Sequence, residues 1–223
     1  MSEEMVIAFD RFDAGAIGLL YQVNTHFGVQ SITSIPHYVI PRTQADSDIR
    51  YVHPITYMLL VNEEGKLFMY QRGTKGKESR LHAKYSIGIG GHINPVEGVE
   101  HIPTLIGLGA IEELQSELGI NTIPLDWMIY PSNTKEQWYT IYAGNDPIVG
   151  EPTVNDYHIG IVRVLHVNSS DITQHEEGVI SHGKFVDPSE VAEMLREDKL
   201  ELWSVIAFNE YILSGVLKPA SLP

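Results

Sequence analysis

The segment from Tyr85 to Ile120 constrains this chain more than any other. A short apolar strand, Tyr85-Ser86-Ile87-Gly88-Ile89, runs into Gly90-Gly91, and a loop holding Pro95 and Gly98 follows. A helix is then expected from Pro103 to Leu118, with proline in its first turn and Gly119 as its stop. Leu105, Leu108, Ile111, Leu114 and Leu118 recur at intervals of 3, 3, 3 and 4, which draws one apolar stripe along that helix. Glu113 and Glu117 are four residues apart and so share another face, with Ser116 between them and Glu112 one step round. Like charges so placed cost a helix about 0.2–0.5 kcal/mol, a penalty that a shared cation reverses. Magnesium suits such a pair, because it takes carboxylate oxygens, backbone carbonyls, water and substrate phosphates and needs few protein ligands. The plain alternative is a solvated pair of surface glutamates.

Strand patterns surround this segment. Ile55 to Val61 reads as a buried strand, Asn62-Glu63-Glu64-Gly65 as a turn, and Lys66 to Arg72 as the second arm of a hairpin. A basic loop follows, with Lys75, Lys77, Arg80 and Lys84. Trp127 to Tyr130, Trp138 to Tyr142 and His158 to Leu165 read as further strands, and Pro188 to Arg196 and Leu202 to Leu213 as helices. Before residue 50, Met5 to Phe9 and His37 to Ile40 read as short strands, the latter between Pro36 and Pro41. The expected organisation is an extension over residues 1–50 and one α/β domain over 51–223.

With 223 residues the chain can bury a full core. It has no cysteine, which excludes disulfides and thiolate metal sites. Its formal net charge of −14 offers no global field for nucleic acid or anionic lipid, so a phosphate compound would need a cation beside the carboxylates. No apolar run is long enough for a membrane span, and the acidic start lacks the pattern of a secretory signal. The expectation is a cytoplasmic protein that acts on a small molecule rather than on nucleic acid or membrane. The strands of residues 1–50 could extend the sheet or form a homodimer.

The segment resembles the signature box of the Nudix hydrolases, G-x5-E-x7-R-E-U-x-E-E-x-G-U with U apolar. Gly91 to Glu97 follows its first part, and Glu113-Leu114-Gln115 with Glu117-Leu118-Gly119-Ile120 follows its end. The box is degenerate here. Glu112 stands where the family has arginine, Ser116 replaces the first of the paired glutamates, and Glu97 to Glu112 spans 15 positions instead of 8. The added residues fall near 98–104. A hairpin before the glycines and a late Trp203-Ser204 helix also look like the family, over residues 50–215, most of all its branch of MutT-type phosphoesterases.

The resemblance implies an α/β/α sandwich with a mixed sheet, and hydrolysis of a phosphoanhydride in a nucleoside diphosphate linked to another moiety. It implies Mg2+ or Mn2+ as cofactor, held by Glu113, Glu117 and the carbonyl of Gly90, with the two glutamates also catalytic. Arg72, Gly91 and His92 are the implied contacts for a nucleotide-type substrate, with Arg80 and Lys84 as weaker candidates. Glu97 would be supportive, and Glu176 or Glu177 could supply a base. Each has a plainer reading: Gly90-Gly91 as a simple turn, Arg72 as a solvated charge, His92 as a structural histidine. The departures from the box leave a second functional class open, a non-catalytic module of the same fold that binds a ligand without turnover.

Overall fold

The computed structural model describes residues 3–20, 23–24, 32–73, 83–121, 139–144, 151–173 and 180–212. The expected strand at Trp127 to Tyr130 lies outside them, as do Trp138, the basic-loop residues Lys75, Lys77 and Arg80, and Glu176 and Glu177. The chain forms two compact units. One comprises Met1–Tyr57, Gly90–Ile111 and Pro124–Val162; the other comprises Met58–Ile89, Glu112–Ile123 and Arg163–Pro223.

In the first unit, β1 (Met5–Asp10) pairs antiparallel with β3 (His37–Pro41), and its end pairs with the start of β4 (Tyr51–Val61) through Phe9↔Val52. Both expected early strands are therefore present, and they pair with each other. Two short helices have no counterpart in the sequence reading: α1 (Arg11–Ala16) and α2 (Arg42–Ala45). Neither is long enough to show a helical period. The Asp10 side chain starts α1 by accepting from the backbone N–H groups of Phe12 and Asp13. β2 (Val23–Asn24) pairs with β8 (Tyr139–Ile141), and β8 pairs with the start of β9 (His158–His166). Ile7, Phe9, Leu19, Ile32, Val52, Ile93, Ile159 and Ile161 form the core of this unit, with Ile102, Leu105 and Ile106 from the start of α3 (Ile102–Leu118).

Arg11 ties this unit together. Its Nε donates to the Ile49 carbonyl at 2.6 Å, Nη1 to the Tyr142 hydroxyl at 2.9 Å, and Nη2 to the Asp156 carbonyl. Asp156 itself is buried and closes a capping box with Thr153, which fixes the 3-10 turn Val154–Tyr157 just before His158.

In the second unit, the end of β4 turns at Asn62–Gly65 into β5 (Leu67–Arg72), with Val61 opposite Leu67. Asn62 Oδ1 accepts from the N–H groups of Glu64 and Lys66, and Gly65 takes a φ of 76°, so the turn uses both residue types for their ordinary physical reasons. β5 pairs antiparallel with β10 (Ile180–Val186) and with β6 (Tyr85–Ser86); β7 (Gly88–Ile89) pairs with β4. α4 (Pro188–Arg196) and α5 (Leu202–Ile212) follow, α4 matching its sequence-based span residue for residue.

The helix α3 departs from the simple stripe. Leu105, Leu114 and Leu118 are buried, but Leu108 and Ile111 are only half-buried, while Ile102, Ile106 and Ala110 are buried as well. The buried face of the first half is turned toward 102, 105 and 106, where Ile93 packs against it. Gly119 ends the helix with a φ of 65°.

Candidate functional site

The box glutamates lie in the last two turns of α3, within the second unit. Glu117 is 9% exposed and Glu113 is half-buried, whereas Glu112, Gln115 and Ser116 face solvent. A carboxylate buried this deeply is costly to keep ionised unless something compensates it, and such groups mark functional sites more often than surface glutamates do. The Ser116 hydroxyl lies 3.4 Å from the backbone carbonyl of Glu113, one turn back along its own helix.

The same unit holds a polar network, linked to Glu117 through Tyr70. Tyr70, on β5, is buried, and its hydroxyl donates to the Gly88 carbonyl at 3.2 Å. Burial pushes the Tyr70 phenol up; Arg72 opposes this and the negative charges of Glu117 and Glu201 reinforce it, so all three charges act on one ring. Arg72, at the end of β5, reaches Glu201 Oε2 with Nη1 at 3.3 Å. Glu201 is 6% exposed and its other oxygen lies 2.6 Å from the Ser86 hydroxyl and 3.3 Å from that of Ser204. The backbone explains this placement. The segment between α4 and α5 runs beside β6, with Tyr85 N–H on the Lys199 carbonyl and Glu201 N–H on the Tyr85 carbonyl, both bonds closing around Leu200.

Glu201 is a functional candidate that the sequence reading missed. The signal nearest to it was Trp203-Ser204, which was read as a family landmark rather than as the rim of a carboxylate site. Lys84 binds the backbone carbonyl of Asp198 at 2.5 Å and pairs with its side chain at 3.7 Å, which commits it to the α4–α5 connection.

Gly90, Gly91 and His92 belong to the first unit, so the expected site residues fall in two groups. A Cβ on Gly90 would stand 1.8 Å from the Thr56 carbonyl oxygen, a contact only glycine permits. The Gly91 carbonyl accepts from Thr56 N–H at 3.0 Å, and the Gly91 N–H donates to the Thr56 hydroxyl at 3.3 Å. Both glycines thus have a packing role against β4. Glu97 is exposed on a turn in which Val96 and Val99 form a bridge.

His92 is drawn beside β4 by its bridge to Ile55, and there it meets His53, His158 and Asp46. One ligand atom from each of the four lies within 4.8 Å of the others, the one such group of metal-ligating side chains among the described residues. Burial holds His92 down to about 2, aided by Arg42, His53 and His158 against Asp46. Burial, then His53, holds His158 down to about 4. Burial raises the Asp46 carboxyl, but His53, His158 and Arg42 outweigh it and hold the group at about 2. At neutral pH this is a carboxylate facing the uncharged imidazoles of His92 and His158, with His53 beside them. The four residues are spread across positions 46 to 158 with no local spacing of the metal-binding kind, so only the fold brings them together.

No family model matches the chain. It is 32% identical to protein YmaB of Bacillus subtilis (strain 168) over 163 residues, which cover 73% of this chain and 72% of YmaB. Among solved structures it is similar to Tm1382, a candidate Nudix hydrolase, with a TM-score of 0.69 at 15% identity over 95% of this chain and 100% of that one. That likeness carries the fold and not the activity. The chain belongs to the family of protein YmaB, and its fold is the α/β fold of the Nudix hydrolases.

Proposed function

We propose that this protein is a metal-dependent hydrolase of phosphoanhydrides, acting on a nucleoside diphosphate linked to another moiety. The observation that carries the reading is the carboxylate pair at the end of α3: Glu117 buried, Glu113 one turn away, and the Arg72–Glu201 ion pair in the same unit. The donor chemistry fits Mg2+ or Mn2+, which take hard oxygen ligands and are content with one or two carboxylates plus substrate phosphate. Glu113 and Glu117 would hold that ion. When bound, it would neutralise phosphate charge and lower the pKa of the attacking water.

The chain's own residues supply the rest. A glutamate of the pair accepts the proton of the attacking water. Arg72 presents N–H groups to phosphate oxygens while Glu201 fixes its guanidinium, and Ser86 and Ser204 fix Glu201 in turn. Glu201 is thus proposed as a positioning residue. The expected substrate contacts Gly91 and His92 belong to the first unit, where they pack beside β4.

Ser116 favours the second reading, a ligand-binding module without turnover, because it offers a hydroxyl where a third box carboxylate would stand, and that hydroxyl turns toward its own helix. Calorimetric titration of Mg2+ and Mn2+ into the wild type and Glu117→Gln, with a phosphate-release screen over nucleoside diphosphate compounds, separates the readings. The hydrolase predicts metal binding weakened by at least about tenfold in the variant, together with product release in the wild type. Metal affinity unchanged by Glu117→Gln would place the site elsewhere. Binding without release would favour the module.

A further inference from the structure

We propose that Asp46, His53, His92 and His158 form a second, structural metal site for a divalent transition-metal ion of the zinc class. It lies within the first unit and needs neither box glutamate. Three imidazole nitrogens and one carboxylate oxygen make a four-donor set of the kind zinc takes, and four protein ligands leave no open position for substrate. Magnesium and calcium, which prefer all-oxygen shells, are poor matches for three histidines.

The geometry of the individual atoms supports this. His158 Nδ1 lies 2.7 Å from the Val154 carbonyl, an acceptor, so the ring proton sits on Nδ1. Its Nε2 therefore presents a lone pair, and that atom lies 3.6 Å from Asp46 Oδ1. The same Oδ1 lies 3.3 Å from His53 Nε2. Acceptor thus faces acceptor where a buried histidine meets the exposed Asp46 carboxylate, which a shared cation resolves. His53 is fully buried; its Nδ1 has no hydrogen-bond partner while its Nε2 meets Asp46 Oδ1, and His92 Nε2 is likewise buried without a partner. Buried polar atoms in native proteins are nearly always satisfied, so two such nitrogens in one cluster call for a ligand. The rings lie close, with centroids 4.1 Å apart for His53 and His158 and 5.0 Å for His53 and His92.

An outer layer orients these groups, as metal ligands require. The Val154 carbonyl sets the His158 tautomer, and the Asp156 capping box holds Val154 in place. Arg42 Nε lies 3.4 Å from Asp46 Oδ2, which leaves Oδ1 turned to the histidines, while the Arg42 guanidinium is itself neutralised by Glu4. Tetrahedral zinc with nitrogen and oxygen bonds of about 2.0–2.1 Å places its ligand atoms roughly 3.4 Å apart. The ligand atoms now lie within 4.8 Å of one another, so an ion would draw them closer together. The ion would fasten four segments to one point: the end of α2, the start of β4, the residue after the double glycine, and the start of β9.

The test uses the full chain, stripped with a chelator and titrated with Zn2+ against a competing chromophoric chelator. One ion per chain should bind, with affinity unchanged in a Glu113→Gln/Glu117→Gln variant. His92→Ala should weaken binding by at least about 100-fold, and Asp46→Asn, at an exposed position, by at least about tenfold. Cobalt(II) should give the intense visible bands of a tetrahedral site in the wild type and lose them in His92→Ala. No stoichiometric Zn2+ binding by the wild type would overturn the proposal, as would affinity unaltered in both cluster variants. Loss of Zn2+ binding in the double glutamate variant alone would also overturn it, by assigning the ion to the box. Failure of Mg2+-dependent hydrolysis would bear on the hydrolase reading and leave this site untouched.

Discussion

Tyr70 condenses the electrostatics of the carboxylate region into one side chain. It is buried, it donates to the Gly88 carbonyl, and it is subject to Glu117, Glu201 and Arg72 together. Its phenol is raised in the folded protein, so folding favours the protonated form. The sign follows from linkage. Below pH 10 the phenol is protonated in both states and the effect on stability is constant; above pH 10 the unfolded chain releases a proton that the folded chain retains, and stability falls. Tyr70→Phe should therefore cost about 1 kcal/mol at pH 8, through loss of the hydrogen bond. That deficit should shrink by about 1.4 kcal/mol per pH unit above 10 and can reverse. Urea unfolding of both proteins at pH 8 and pH 11 measures it. A deficit that stays constant across that range would show that Tyr70 titrates normally in the folded state.

At the scale of elements, the contact between β4 and the double glycine is the tightest constraint. Gly90 lies against the Thr56 carbonyl with no room for a Cβ, and Gly91 exchanges hydrogen bonds with Thr56. Gly90→Ala should cost at least about 2 kcal/mol in urea denaturation, since backbone rather than a flexible side chain must move. A neutral substitution would mean that the two segments can separate freely. Much of this level was legible in the sequence. The hairpin over 55–72 follows from its buried-strand pattern and from Asn62 and Gly65, and α4 from Pro188 and its apolar period. β4 begins at Tyr51, four residues ahead of the expected start at Ile55, and runs through Pro54. The strand continues through it because β1 reaches only Tyr51 and Val52 and the Gly91 bond falls at Thr56. The half-buried Leu108 and Ile111 show the limit of periodicity: it places a stripe, but which side chains are covered depends on Ile93 and other partners distant in sequence.

For the whole molecule, the box spacing led to the fold, and to Glu113, Glu117 and Arg72 within one unit. The partners that complete each cluster were not legible. Glu201 reaches Arg72 only because the α4–α5 connection runs beside β6, and Asp46, His53 and His158 meet His92 only through strand pairing. No local pattern records such contacts, because they depend on chain segments far apart in sequence. The central claim, hydrolysis that depends on the α3 carboxylates, is tested most directly by the initial rate of phosphoanhydride cleavage at saturating Mg2+ or Mn2+. The rate should be measured for wild type and Glu117→Gln on the best compound of the screen. The account predicts metal-dependent turnover in the wild type and a kcat lower by about 100-fold or more in the variant, with the fold retained. Turnover equal in both proteins, or independent of added metal, would contradict it.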